Sequence, residues 1–107
     1  MGVIISGFSS TSRDFSDAEA AAIDAHDIAL SEGNWREHLS ELFFGEPHEA
    51  DMPAERIEKA ALDYVEWLSP MSDLNDWRKW HLAMARRVLE LARATRANGG
   101  DMVGIAG

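Results

Sequence analysis

The segment DWRKWHLAMARRVLEL, Asp76 to Leu91, constrains the fold of this chain more than any other. Trp77, His81, Met84, Val88 and Leu91 recur at steps of four, three, four and three, the spacing that lines one face of an α-helix. Leu74 and Thr95 extend the seam, which predicts a helix over 73–97 with Ser72 as its cap and Asn98-Gly99-Gly100 as its stop. So long an amphipathic helix is stable in water only when its apolar face is covered, so the rest of the chain must pack along it.

Three further helices are predicted. Ser16 and Glu19 form a capping box ahead of a helix over 17–32, which carries a broad face of small residues at Ala18, Ala21, Ala22, Ala25 and Ala29 and ends at Gly33. Asn34 caps the next, with Trp35, Leu39, Leu42 and Phe43 on one stripe and Gly45 and Pro47 ending it. The third runs over 53–68, with Pro53 in its first turn. It turns Ile57, Ala61, Tyr64 and Leu68 inward and Glu55, Lys59, Asp63 and Glu66 outward, and Ser69-Pro70 stops it.

The expected fold class is therefore all-α: a small four-helix bundle or irregular helical fold with flexible, apolar, glycine-containing termini. Residues 1–15 read as an N-terminal arm, 16–98 as the helical domain and 99–107 as a tail. Both ends, GVIISGF and DMVGIAG, are β-prone and are able to pair with each other, to lie over the core or to join a partner's sheet. Glycine-rich termini lose much entropy on ordering, so disorder or weak docking is expected, and loss of 101–107 should cost little stability.

Composition narrows the function. With 107 residues and no cysteine, the chain has room for one core and no disulfide or cysteinyl metal site. A hydrophobic content of 46% argues for a folded protein despite the net charge of −9. No stretch approaches the roughly 20 apolar residues of a membrane span, and MGVIISGF lacks a positive leader region, so a cytoplasmic location without membrane contact is expected. Up to residue 72 there are 15 acidic and four basic residues, a net of −11; beyond it four acidic and six basic residues leave +2. So acidic a surface disfavours direct nucleic-acid binding.

Signatures of chemistry are missing. There is no nucleophile elbow, phosphate-binding loop or dinucleotide fingerprint. His38 with Glu41, and His48 with Asp51, have a three-residue spacing but the wrong order for a bundle metal site, and neither a metal nor a cofactor is expected. His26 beside Asp27 points about 100° away from it on a helix, which makes no dyad. His81, inside an apolar seam, is most simply a core residue with one or two hydrogen bonds; setting helix register is the second reading and catalysis the last.

Trp67 and Trp80 fall off the inward stripes of their helices, where an indole serves as a binding anchor. The expected function is a small, acidic, non-catalytic protein-binding module: an accessory subunit, adaptor or inhibitor. Its partner-binding residues are Glu37, Glu41, Glu46, Glu49, Asp51, Glu55, Trp67 and Trp80. The alternative is a virus-encoded inhibitor of a host defence nucleoprotein complex, of the anti-CRISPR kind, whose carboxylates take the place of nucleic acid in a basic groove. A third is an enzyme with an unmarked site near His81 or His26. The partner is expected to be a protein, with or without a basic groove, and a homodimer is also open.

Overall fold

The computed structural model describes residues 3–10, 28–30, 50–70 and 76–106. In chain order their elements are β1 (Val3–Phe8), β2 (Ile28–Leu30), β3 (Ala50–Pro53), α1 (Ala54–Leu68), α2 (Asp76–Ala97) and β4 (Met102–Ala106). The strands form one antiparallel sheet in the order β2-β1-β4-β3. The fold is therefore mixed α/β, which overturns the all-α helical bundle. Of the helix expected over 17–32, the described part, Ile28–Leu30, is a strand. The helix expected after Asn34 lies outside the described residues.

The expected flexible termini are instead the two central strands. β1 and β4 pair along five positions, from Ile4 opposite Ala106 to Phe8 opposite Met102, and β4 then pairs with β3. Residues directly opposed across a ladder share a face. Ile5, Gly7, Met52, Val103 and Ile105 accordingly form one buried layer, with Ile5 opposite Ile105 and Val103 between Gly7 and Met52. Ser6, Phe8, Met102, Gly104 and Asp51 take the other face and are half-buried or exposed. The entropy cost of ordering these ends is met by the ladder and by the apolar area that the layer buries.

Both helices cover the buried layer. Glu58 meets Arg96 and Tyr64 meets His81, so α1 and α2 run antiparallel. α1 starts one residue later than predicted: Pro53, at φ −55° and ψ 127°, closes β3 and precedes the first helical residue. Its inward positions are Ala54, Ile57, Ala61, Tyr64 and Leu68, while Glu55, Lys59, Asp63 and Glu66 are exposed. On α2 the seam residues His81, Val88, Leu91 and Thr95 are buried, and Leu82, Ala85, Leu89 and Ala92 join them. The buried face is wider than a seam because α2 touches both α1 and the sheet.

Helix α2 stops as its sequence requires. Gly99 has φ 81°, Gly99 N–H donates to the Arg96 carbonyl at 3.1 Å and Gly100 N–H to the Thr95 carbonyl at 2.8 Å. This paired arrangement satisfies the last carbonyls and reverses the chain into β4. Asp101 then ties three elements together. Its N–H donates to the Phe8 carbonyl at 3.2 Å, its carbonyl accepts from Ala54 N–H at 2.9 Å, and its carboxylate accepts from the Ser10 N–H at 2.6 Å and from the Ser10 hydroxyl. The Ser10 hydroxyl, with the backbone N–H, holds that carboxyl below the usual carboxylate range. No helix among the described residues is long and apolar enough to cross a membrane.

Candidate functional site

Tyr64 is an inward position of α1 and the chain's single tyrosine. Its ring is 5% exposed and its hydroxyl lies 3.1 Å from His81 Nδ1, with the two rings edge to face at 86°. His81 is 1% exposed. With the neutral imidazole proton on Nε2, the phenol donates to Nδ1. A buried hydroxyl or imidazole without a partner costs about 1–3 kcal/mol, so each secures the other. The antiparallel packing brings them to one depth, and no sequence spacing relates them. At such burial the imidazole is out of reach of a dissolved substrate.

The next residue on this side of α1 reaches solvent. Trp67, three positions after Tyr64, stacks on its ring at a centroid distance of 5.8 Å and 17° between planes. It is 58% exposed, the one large apolar side chain so exposed among the described residues. Beneath it, Tyr64 is pinned by His81, so the indole stands on a fixed base. Around it the helix carries Asp63, one turn earlier, and Glu66, both exposed. The last turn contains no base. A helix C-terminus favours cations by a few tenths of a kcal/mol to about 1 kcal/mol, so carboxylates and an open indole here are choices that helix stability does not favour.

Of the expected binding residues, Asp51, Glu55 and Trp67 have described side chains, and Trp67 stands apart from the other two. Asp51 is exposed on the edge strand β3 and Glu55 is exposed in the first turn of α1. Trp67 is twelve residues beyond Glu55, about 18 Å along the helix axis. Trp80 belongs to α2, but its side chain is outside the described set, as are Glu37, Glu41, Glu46, Glu49 and His26. Helical periodicity puts Asp63 and Glu66 on the solvent side, and the expected binding set does not include them beside Trp67. The available signal was their spacing, three and four residues, in a turn with no base before Ser69-Pro70.

A cavity of about 530 Å³ opens where α1 begins and α2 ends, with Glu55 and Arg96 on its wall. The Arg96 guanidinium pairs with Glu58 at 2.8 Å. Among the described residues no three metal-binding side chains come together. No family model, curated protein or solved structure matches this chain.

Burial raises the Tyr64 phenol above its ordinary value. A raised folded-state pKa means that the contribution of Tyr64 to stability is complete below the unfolded value, near 10, and is lost as pH rises through the folded one. The melting temperature of the wild type is expected to fall more steeply above about pH 10 than that of Tyr64→Phe. With one tyrosine in the chain, tyrosinate absorbance reads this group directly, and its rise should be delayed beyond the free phenol's. An undelayed titration, or parallel pH curves for the two proteins, contradicts the burial.

Proposed function

We propose that the chain is a small non-catalytic protein-binding module, an accessory subunit, adaptor or inhibitor, which docks through the C-terminal turn of α1. The observation that carries this reading is Trp67, 58% exposed on the Tyr64 ring. Burying a whole large apolar side chain is worth about 1.5–3 kcal/mol, and roughly half of that is still uncollected at Trp67 in the free protein. Tryptophan dominates binding hot spots because it offers a large area for few rotatable bonds. Stacking on Tyr64 lowers the ordering cost further, since the base of the anchor is already fixed. A position selected for solubility alone would carry a charged side chain.

The test is capture of partners from an extract of the organism that encodes the chain, comparing wild type with Trp67→Ser. A hot-spot indole is worth 2 kcal/mol or more, so recovery of the specific partner is expected to drop by about tenfold or further. The melting temperature should move only a few degrees, as for other exposed positions. Equal recovery of the same partners by both proteins removes Trp67 as the docking point.

A further inference from the structure

Trp67 shares its corner of α1 with two carboxylates. Asp63 is one turn before it, and Glu66 adjoins it and lies three residues from Asp63, a spacing that makes them neighbours on the helix surface. Neither carboxylate forms an ion pair with another described residue, and the last turn of α1 has no base. The carbonyl end of the helix adds negative partial charge at the same place. Lys59, the nearest base on α1, is eight residues before Trp67, about 12 Å along the axis, and one turn before Asp63, with which no ion pair is formed. Every charge that α1 places close to the indole is therefore negative.

An indole edged by carboxylates on its own helix attracts a cation, although the antiparallel α2 brings Arg78 and Lys79 toward the same end of the helix pair. The indole's electron-rich face attracts arginine or lysine, and the carboxylates at its edge add to that attraction. Guanidinium satisfies both at once: its plane stacks on the ring while its N–H groups donate outward to carboxylates. A lysine ammonium, a point charge on a flexible stem, has no plane to stack. We propose that this corner docks an arginine side chain presented by a basic segment of a partner protein. The inference rests on the protein-binding reading above and names the chemistry of the partner. It disfavours an acidic partner, which would meet Asp63 and Glu66. It also disfavours a purely apolar cleft, which would desolvate both carboxylates without pairing them.

The isotope-labelled full chain is titrated with three short peptides of one sequence, carrying arginine, lysine or the neutral isostere citrulline at the same two positions. The readout is the Trp67 indole N–H resonance, identified by its absence in Trp67→Phe. The arginine peptide is expected to move it at concentrations about tenfold lower than the citrulline peptide, with lysine between them. Asp63→Asn with Glu66→Gln, both at exposed positions that leave the fold intact, should weaken the arginine peptide several-fold at low salt, and the loss should shrink as salt rises. Equal movement by arginine and citrulline peptides overturns the arginine proposal while leaving Trp67 as a docking point. No movement with any peptide overturns it as well, and capture with Trp67→Ser then decides the docking reading separately.

Discussion

A chain truncated before Asp101 is expected to lose its cooperative unfolding transition. β4 pairs with β1 on one side and β3 on the other, so its loss disconnects β3 from the N-terminal half of the sheet. Val103 is 0% and Ile105 3% exposed. Burial of two such side chains is worth about 3–6 kcal/mol, against a typical total stability of 5–15 kcal/mol. The Asp101 bonds to Ser10, Phe8 and Ala54 go with them. Ile105→Asp is a milder version and should lower the denaturation midpoint strongly, since it places a charge in the apolar layer. Urea and thermal melts followed by circular dichroism read both. A truncated protein melting within a few degrees of the full chain would contradict the central place of β4.

Gly7→Ala is expected to be strongly destabilising, although glycine-to-alanine changes inside a strand ordinarily help by about 0.5–1 kcal/mol. A Cβ at Gly7 would lie 1.8 Å from Thr95 Oγ1, 2.8 Å from its Cβ and 2.9 Å from its Cγ2. Thr95 has no room to yield: it is 0% exposed and its hydroxyl donates to the Leu91 carbonyl at 2.8 Å. Either α2 lifts from the sheet or the strand bends. Such overpacking costs about 1–3 kcal/mol, and sometimes more. Thr95→Ala removes two of the three obstructing atoms, so the double variant should be less destabilised than the sum of the singles. A Gly7→Ala protein as stable as wild type would show that α2 does not press on β1 at this point.

The legible part of the fold is local. The inward face of α1 follows from the spacing of Ile57, Ala61, Tyr64 and Leu68, and its end from Ser69-Pro70. The end of α2 follows from Asn98-Gly99-Gly100, where Gly99 takes a positive φ. His81 is buried because its place in an apolar seam says so. Ile28, Ala29 and Leu30 misled because three apolar residues have no measurable period, and the capping box at Ser16 and Glu19 pulled them into a helix. The ends misled for a different reason. In an isolated peptide glycine makes ordering of either end costly, and the gain that reverses this comes from a ladder partner about a hundred residues away.

The site divides along the same line. That Trp67 lies off the stripe of α1, with Asp63 and Glu66 beside it, is helical arithmetic. Whether another element covers it is not, and neither is the meeting of Tyr64 with His81. By itself the sequence determined which faces α1 and α2 turn inward and where they stop, because caps, glycine and side-chain periodicity act within a few residues. Only the tertiary structure decided that the two ends lie side by side at the centre of a sheet and that Trp67 stays in solvent. A strand's hydrogen bonds are made to another strand, and a side chain's exposure is set by whatever packs over it; both depend on residues that no local pattern names.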